Sequence, residues 1–412
     1  MKVLIIGNGG RESAVAKKLA QDKRISQLYF AKGNATTETL GKNLPYDDIA
    51  ELRDFAIKEQ IDFTFVGPEL PLVKGIVDEF QKHNLKIFGP TKRAADLEGS
   101  KAFSKKFMLE NGVRTAKAEI FDSYVLAKEY VQTQKYPLVV KASGLAAGKG
   151  VVICEDIEHA EATLHQFMID KIFGDAGIKV VIEQFLKGFE ASVIAFWNGK
   201  KAFPCVSAKD YKKIGNGDTG LNTGGMGTVA PSPEFTAEHL ADFEKNILEP
   251  TVKGIKDNAL NFVGFIFFGV LVENNVCYLL EYNMRLGDPE TQVIMALLES
   301  NLLDVFTDCL DGKDLDLRFS DKKAVCLVMT SGGYPGNYEI GYEITGLDKV
   351  KESEVLFAGA EIHQGKVVTN GGRVLNIVAT GDTYQEARKK VYQDALTLRF
   401  DYAYYREDIG DF

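Results

Sequence analysis

The 412-residue sequence has few cysteines and histidines, and it has no apolar run long enough to cross a membrane. It contains five cysteines without a Cys-x-x-Cys spacing, which excludes a disulfide framework and a cysteine-rich zinc site. We therefore expect the cysteines to be small core residues. The longest apolar run, 263–272, includes two glycines and is about half as long as a transmembrane helix. The first residues show no signal-peptide pattern, so we expect a cytoplasmic protein that does not enter membranes.

The sequence also lacks an excess of positive charge. It has 49 basic and 58 acidic residues, a net charge of −9, which argues against general binding of nucleic acids or acidic membranes. The five histidines show no His-x-x-x-His spacing. Four of them lie in polar, helical surroundings, and we expect them to be solvent-exposed: His83, His159, His165 and His239.

The first hundred residues alternate between strand and helix patterns. The predicted strands are 2–7, 27–31, 61–66 and 86–88, and a helix is predicted over 72–80. This alternation is typical of a parallel sheet, in which ligands bind beyond the carboxyl ends of the strands. The candidate substrate-binding residues at these ends are Gly9, Gly10, Asn34, Gly67, Pro68 and Glu69.

A dinucleotide-binding fold is the first hypothesis for the glycines that follow the first strand. That motif requires a small residue where this chain has Glu12, and an acidic residue at the end of the second strand, where Lys32 stands. A nicotinamide cofactor is therefore disfavoured. Backbone N–H groups of the loop could still bind a smaller anion, such as a sugar phosphate.

A glycine-rich segment, 143–150, lies between the predicted strands 136–141 and 151–154. A two-residue turn would suffice for a hairpin, so the longer loop favours a lid that covers phosphates with backbone N–H groups and lysine charges. The alternative is an ordinary hairpin with surface lysines. The candidate phosphate-binding residues are Lys141, Gly144, Gly148, Lys149 and Gly150.

Two further segments are candidates for the site. The connector 187–190, which follows a predicted strand over 180–186, could pair with an adenine edge, and Glu190 could accept hydrogen bonds from ribose hydroxyls. A solvated hairpin explains this connector equally well. The stretch 209–227 contains too much glycine for a helix or strand, so we interpret it as an active-site loop. It contains the candidate substrate-binding residues Asp210 and Asn222.

The most specific local pattern follows the apolar strands predicted over 262–272 and 276–280. Residues two apart on a strand face the same side, which places Glu281, Asn283 and Arg285 together. A carboxylate beside an amide oxygen suits Mg²⁺, and an arginine there can clamp a carboxylate or phosphoryl group. The alternative is a half-buried strand with a structural ion pair. The apolar Tyr282 and Met284 on the other face favour a site for metal and anion.

Together these motifs resemble the glycinamide ribonucleotide synthetase (phosphoribosylamine–glycine ligase) family of the ATP-grasp superfamily, over essentially the whole chain. The resemblance rests on segments 7–12, 67–69, 97–101, 144–150 and 222–227, and most specifically on Arg285-Leu286-Gly287-Asp288-Pro289-Glu290-Thr291-Gln292. One such loop would be weak evidence, whereas this many in order are specific.

The resemblance implies an α/β and α+β multidomain architecture. It comprises an N-terminal parallel-sheet (pre-ATP-grasp) domain over 1–100 that binds phosphoribosylamine, a central ATP-grasp fold over 101–320 with a mobile lid at about 117–186, and a small C-terminal α+β domain over 321–412. The implied reaction joins glycine to 5-phosphoribosylamine through glycyl phosphate, at the second step of de novo purine synthesis. The implied partners are these small molecules and ATP, without nucleic acid or membrane. The expected state is a monomer that contacts the preceding pathway enzyme transiently.

The resemblance also implies roles for individual residues. Lys101 and Lys141 contact ATP phosphates, while Glu281 and Asn283 hold Mg²⁺ or Mn²⁺, with Glu273 as a further possible ligand. Arg285, Lys141 and Asp288 are the expected catalytic residues. The adenine and ribose of ATP are assigned to Glu183, Gln184, Phe185, Leu186 and Glu190.

The sequence departs from the usual family pattern at four positions: Ser13 and Tyr211 replace histidine, Ser143 replaces aspartate, and Leu221 replaces proline. These departures argue against indispensable proton transfer at those positions. Three alternatives remain open, namely another ATP-grasp ligase or carboxylase, a nicotinamide-dependent oxidoreductase, and a nucleotide-binding regulator without activity.

Overall fold

The structure of the protein, a computed structural model, describes residues 1–146 and 150–412. Its N-terminal part is the predicted parallel sheet, with strand order β3-β2-β1-β4-β5. The strands are β1 (Lys2–Gly7), β2 (Gln27–Lys32), β3 (Lys42–Leu44), β4 (Phe63–Val66) and β5 (Ile87–Phe88). The helices are α1 (Gly10–Leu19), α2 (Ala35–Leu40), α3 (Ile49–Glu59), α4 (Glu69–Val73), α5 (Ile76–Lys82) and α6 (Lys92–Gly99). Helices cover both faces of β1, whose residues 3–6 are buried because they are uniformly apolar.

Two local predictions in this part are wrong. The single helix predicted over 72–80 is divided into α4 and α5, because Gly75 adopts a φ of 90° that a right-handed helix does not allow. The short edge strand β3 was not predicted, since three residues of mixed polarity carry no recognisable period.

The middle part contains two antiparallel sheets. The first, β6-β9-β7-β8, is the region predicted as the lid. Its elements are α7 (Lys101–Glu110), β6 (Ala118–Phe121), α8 (Tyr124–Val131), β7 (Leu138–Ala142), β8 (Val151–Cys154), α9 (Ile157–Met168), a 3₁₀ turn (Gly174–Gly177) and β9 (Val180–Gln184). The apolar faces of α8 and α9 pack on this sheet and form a separate small core. The mobility of this unit stays a prediction.

The second sheet of the middle part has the order β11-β10-β16-β17 and supports the site. Its strands are β10 (Phe189–Trp197), β11 (Ala202–Pro204), β16 (Gly264–Glu273) and β17 (Val276–Asn283). The associated helices are α10 (Ala237–Phe243), a π-helical turn (Glu244–Leu248), α11 (Glu249–Asp257), α12 (Glu290–Leu297) and α13 (Leu302–Leu310). Phe265 of this sheet contacts Phe65 and Phe88 of the N-terminal sheet, with ring centroids 6.2 and 4.9 Å apart, so one aromatic core joins the two parts.

The C-terminal sheet has the order β12-β15-β18-β22-β19. It and the adjoining hairpins comprise β12 (Lys209–Asp210), β13 (Lys213–Gly215), β14 (Thr219–Asn222), β15 (Gly227–Ala230), β18 (Lys323–Thr330), β19 (Glu354–Phe357), β20 (Ala360–His363), β21 (Lys366–Thr369) and β22 (Arg373–Gly381). A 3₁₀ turn (Leu347–Lys349) and α14 (Tyr384–Ala395) complete this part. The predicted α+β character is confirmed.

The prediction that 209–227 is entirely loop is wrong. Strands β13 and β14 form a hairpin whose turn residues Gly217 and Asp218 have φ angles of 66° and 55°, as tight hairpin turns require. Strands β12 and β15 join the C-terminal sheet through β18. The apolar Val229 and Ala230, just beyond this stretch, are fully buried and stabilise β15, with which β12 pairs.

The predictions for the cysteines and for the four histidines expected on the surface are confirmed with one exception, His239. All five cysteines are buried thiols. His239, however, is 6% exposed and not on the surface, because its ring lies between the backbone N–H of Thr236 and the side chain of Asn275. Within the described ranges, no helix is both long and apolar enough to cross a bilayer.

Candidate active site

The end of β17 presents a polar face beside the apolar core. Glu281 and Asn283 pair with Gly269 and Phe267 of β16, while Tyr282 and Met284 are buried on the opposite side. Arg285 follows the strand, and its Nη2 lies 3.4 Å from Asn283 Oδ1. The structure therefore brings together the three residues that the alternation pattern predicted.

Arg285 is held by two carboxylates from the N-terminal part. Its Nη2 lies 2.9 Å from Glu98 Oε1, and its Nε lies 3.4 Å from Glu69 Oε2. Burial would lower the pKa of Arg285, but these carboxylates raise it above its usual range. The guanidinium is therefore charged and oriented. Glu98 was not predicted as a site residue, although its position just before Gly99-Ser100-Lys101 was a usable signal.

Lysine side chains surround Glu281. Burial alone would raise the pKa of this carboxyl group, but the charges of Lys212, Lys101, Lys141 and Arg285 together lower it. Glu281 is consequently ionised and able to coordinate a cation. Among the described residues, no three His, Cys, Asp or Glu side chains form a metal cluster, so a cation held by Glu281 and Asn283 would need further oxygens from a bound ligand.

Lys141 belongs to a buried network with Glu183 and Lys105. The two oxygens of Glu183 lie 2.9 Å from Lys141 Nζ and 3.1 Å from Lys105 Nζ. Burial raises the pKa of Glu183, but the two lysines lower it below its usual range. Lys105 was missed by sequence reasoning, because a lysine within a helix is normally solvated. The side chain of Glu183 therefore positions Lys141.

The start of the glycine-rich loop is attached to the N-terminus of α7. The carbonyl of Ser143 accepts a hydrogen bond from Lys101 N (2.6 Å), and its hydroxyl accepts one from Ala102 N (3.1 Å). Gly144 donates to Ala176 O, and a Cβ at Gly144 would lie 2.6 Å from the Cβ of Ala176. Gly150 is described at the other end of the loop, whereas Gly148 and Lys149 lie outside the described residues.

The predicted adenine segment leads from β9 to β10. Gln184 N donates to Lys117 O, and Leu186 packs with Ala116 and Leu271 in a small apolar cluster. Glu190 forms an ion pair with Lys212, whose half-exposed side chain places its Nζ 2.5 Å from Glu190 Oε2. Loss of solvation would lower the pKa of Lys212, but Glu190, Glu281 and Asp210 raise it.

Asp210 lies near the signature segment. Its Oδ1 is shielded from solvent and has no hydrogen-bond partner among the described residues. Desolvation, followed by the charge of Glu290, raises the pKa of Asp210 well above its usual value. Asn222, at the end of β14, is exposed.

Asp288 connects all three parts of the molecule. Its carboxylate accepts hydrogen bonds from Gln292 Nε2 (2.8 Å) and Arg11 N (3.4 Å), and lies 3.6 Å from Arg373 Nη2. Burial would raise the pKa of Asp288, but Arg373 and Arg11 lower it. Arg373 Nη1 also donates to the carbonyls of Gly224 and Asp288. These bonds fix the Asp288 carboxylate in place, and its catalytic role stays a prediction.

Side chains of the protein itself occupy part of the space beyond the carboxyl ends of the N-terminal strands. Gly9 N donates to Glu12 Oε2 at 2.6 Å, and a Cβ at Gly67 would lie 1.7 Å from Glu12 Oε1. Asn34 donates to Asn8 O, Ser13 Oγ and Phe357 O, and its Oδ1 caps α2. The amide of Asn34 is thus held by the protein itself, and its contact with the substrate stays a prediction.

Gly10, Pro68 and the residues around them border the same strand ends. Gly10 is tightly enclosed, since a Cβ there would lie 2.2 Å from Asn376 Nδ2, and Pro68 precedes the first turn of α4. Next to them a cavity of about 190 Å³ is lined by Asn8, Lys32, Gly33, Asn34 and residues of the C-terminal part.

Glu273 is not near this face. It pairs with Val276 at the turn between β16 and β17, four residues along β16 from the partner of Glu281, or roughly 13 Å. Its Oε1 accepts a hydrogen bond from Lys187 N. Glu273 therefore does not complete the predicted metal site.

Comparison with known proteins supports the sequence resemblance. Three family models match the chain: the phosphoribosylglycinamide synthetase N domain over residues 1–98, its ATP-grasp (A) domain over 99–291 and its C domain over 324–412. Relatives named phosphoribosylamine–glycine ligase are 49% identical in Clostridium acetobutylicum, covering 100% of this chain and 99% of the relative, and 48% identical in Fusobacterium nucleatum, covering 100% and 98%.

Solved structures agree with this assignment. The crystal structure of phosphoribosylamine–glycine ligase from Thermotoga maritima is 34% identical, covers 99% of this chain and 100% of its own, and has a TM-score of 0.88. A biotin carboxylase from Campylobacter jejuni shares the fold alone, with 14% identity, a TM-score of 0.76, and 98% and 92% coverage. The chain belongs to the phosphoribosylglycinamide synthetase family.

Proposed function

We propose that this protein is an ATP-dependent ligase that joins glycine to phosphoribosylamine and forms glycinamide ribonucleotide, ADP and phosphate. This is the reaction named by its full-length relatives, and it belongs to the second step of de novo purine synthesis. The observation that carries the proposal is the charged face of Glu281, Asn283 and Arg285 in a chain of this family.

A divalent cation fits the oxygen pair of Glu281 and Asn283. The ionised carboxylate and the amide oxygen supply two hard ligands, and Mg²⁺ commonly takes its remaining ligands from phosphates and water. Mn²⁺ accepts the same donors. Bound there, the cation would neutralise charge on the phosphates of ATP.

The lysine network supports a nucleotide beside this face. Lys101 and Lys141 supply positive charge for the phosphates, and Glu183, which also binds Lys105, fixes Lys141 directly. Gly144 and Gly150, with Gly148 and Lys149, belong to the proposed phosphate cover. Gln184, Phe185 and Leu186 border the proposed adenine position, with Glu190 for the ribose.

The chemistry requires no nucleophile from the protein. A carboxylate oxygen of glycine attacks the γ-phosphorus of ATP, the bond to ADP breaks, and glycyl phosphate forms. The amine of phosphoribosylamine then attacks the carbonyl carbon, phosphate leaves, and the amine loses a proton. Arg285 is suited to hold the carboxylate and the acyl phosphate. Rate enhancement comes from positioning and charge neutralisation.

The second substrate fits the cavity beside Asn8 and Lys32. This cavity lies at the carboxyl ends of β1 and β2, where ligands of parallel sheets bind. Gly9, Gly10, Gly67, Pro68 and Glu69 border the region between this cavity and Arg285. Asp210 and Asn222 are the proposed substrate contacts from the C-terminal side.

Product analysis tests the proposal. The protein is mixed with Mg-ATP, glycine and freshly generated phosphoribosylamine, and the products are identified by mass spectrometry. We expect glycinamide ribonucleotide and ADP in equal amounts. ADP formation that does not require glycine would instead indicate another ATP-grasp ligase, and the absence of product with all substrates would contradict the proposal.

A further inference from the structure

The hairpin of β13 and β14 has little support of its own. Its two strands pair only with each other in the described sheets, and all four residues of β14 are exposed. A lone two-stranded hairpin is at best marginally stable in water. Other contacts must therefore hold it in place.

Arg406 supplies the central contact. Only 1% of its surface is exposed. Its Nη1 donates to Lys213 O (3.0 Å), at the start of β13, and to Asp218 Oδ1 (2.8 Å), in the hairpin turn. Its Nε and Nη2 both bind the carboxylate of Asp408 at 2.7 Å. These contacts fix the orientation of Arg406, which attaches the hairpin to the C-terminal segment, residues 404–410.

Neighbouring residues of the same segment reinforce this contact. Tyr404 OH donates to Ile214 O, Gly217 N donates to Asp408 Oδ2, and Glu407 N donates to Asn216 Oδ1. The segment is itself anchored, because Ile409 is fully buried in the C-terminal core and Tyr392 OH donates to Arg406 O.

The hairpin is continuous with the candidate site. Lys212 immediately precedes β13, and Thr223, which follows β14, donates to Lys212 O through both its N and its Oγ1. The ring of Tyr211 lies 5.1 Å from the Arg406 guanidinium. Lys212 in turn pairs with Glu190, and its charge lowers the pKa of Glu281.

We propose that Arg406 is a positioning residue for the ligase reaction: it fixes the hairpin of residues 213–222 and thereby the location of Lys212 in the site. This inference rests on the proposed function. Arg406 touches no reacting group. The nucleotide-binding lysines lie on α7 and β7 and keep their positions, whereas Lys212 pairs with Glu190, so removal of the contact should weaken ATP binding less than it lowers turnover.

The test compares Arg406→Met with Asp218→Asn and with the control Arg318→Met, whose exposed side chain pairs with the nearby Asp316. Hydrogen exchange of residues 213–222, kcat, and the KM values for glycine and ATP are measured in the full chain below its unfolding temperature. We expect faster exchange in the hairpin and a kcat/KM for glycine about tenfold lower in Arg406→Met, since small misplacements can cost even more. Arg406→Lys should restore part of the loss, and the control should match the wild type.

Hydrogen exchange of the hairpin at the wild-type rate in Arg406→Met would overturn the inference. Faster hydrogen exchange with unchanged kcat and KM would also overturn it, because it would show that the role of Arg406 is merely structural. An equal rise in the KM for ATP would also contradict it. If Arg406→Met does not fold, Asp218→Asn decides by the same measurements, because Asp218 is largely exposed. A wild-type protein that forms no product would refute the proposed function alone, whereas hydrogen exchange would still report whether Arg406 holds the hairpin.

Discussion

At the scale of single residues, Glu281 shows how neighbours determine chemistry. The surrounding lysines and Arg285 keep its carboxylate ionised in a place where burial would favour protonation. The same charges that prepare Glu281 for a cation are available to phosphates once the cation is bound. Its role is therefore electrostatic.

Glu281→Gln should lower turnover by on the order of 10²–10³, the usual cost of losing one such contact. The variant should fold normally and require a higher Mg²⁺ concentration, as measured by ADP release in a metal titration. Glu273→Gln is the control, because this carboxylate lies on the same pair of strands away from the site. Near-normal turnover in Glu281→Gln would contradict the metal assignment.

Asp210 should make stability depend on pH. Its pKa is raised in the folded protein, so the unfolded chain loses this proton first, and stability falls as pH rises above about 4. Asp210→Asn should not lose stability in this way, because asparagine carries no proton that titrates in this range. Its thermal midpoint should therefore exceed that of the wild type by more at pH 8 than at pH 5.

Asp408→Asn is the control, because the stabilising effect of this carboxylate should change with pH in the opposite direction. Burial would raise the pKa of Asp408, but Arg406 lowers it, so its carboxylate stabilises the folded state above the unfolded pKa and loses this effect as pH falls through the folded pKa. The variant should be less stable than the wild type at neutral pH. The same pH trend in both variants would contradict the assignment.

The site was only partly predictable from residue patterns. The alternation of Glu281, Asn283 and Arg285 needs only the period of a strand. Glu98, Lys105 and Arg373 were not predicted, since their contacts with Arg285, Glu183 and Asp288 join segments far apart in the sequence. A single sequence gives no information about which distant charges meet.

At the scale of elements, Ser143 joins the glycine-rich loop to α7. Its hydroxyl accepts from Ala102 N, one of the first-turn donors that a helix leaves without internal partners. Aspartate, usual in the family at this position, offers an acceptor too. Serine in place of aspartate therefore preserves the hydrogen bond from Ala102 N.

Ser143→Ala should destabilise the fold by about 1 kcal/mol, as for the loss of a helix-capping side chain, and raise the KM for ATP because Lys101 lies in the same turn. Ser143→Asp should restore both. Denaturant unfolding and initial rates of ADP release provide the measurements. An alanine variant identical to the wild type in both would show that the hydroxyl is dispensable.

The hairpin of residues 213–222 shows a signal that was present but overlooked. Asn216-Gly217 is a frequent turn pair, yet the many glycines nearby led to the prediction of a loop. The parallel sheet was easier to predict, since its strands other than β3 are short and largely apolar. Tertiary support from Arg406 could not be inferred locally.

At the scale of the whole molecule, Arg373 connects the C-terminal sheet with the signature segment. Its guanidinium binds the carbonyls of Gly224 and Asp288 as well as the Asp288 carboxylate. Movement of the C-terminal part would therefore displace both segments.

Arg373→Met should lower turnover about tenfold or more through misplacement, with a smaller change in the thermal midpoint. Arg399→Met is the control, because that side chain donates to the adjacent Leu398 carbonyl within the C-terminal part. Steady-state kinetics and thermal unfolding are compared. Equal kinetic losses in the two variants would refute the specific role of Arg373.

The attachment of residues 213–222 to Arg406 has a consequence for biosynthesis. A ribosome makes the lysines, the strand with Glu281 and the glycine-rich loop long before it reaches Tyr404–Gly410. A nascent chain can therefore fold its nucleotide pocket early, but it gains an ordered hairpin only after translation has passed these residues. Competence for turnover therefore requires synthesis of residues 404–410, long after the nucleotide pocket has been made.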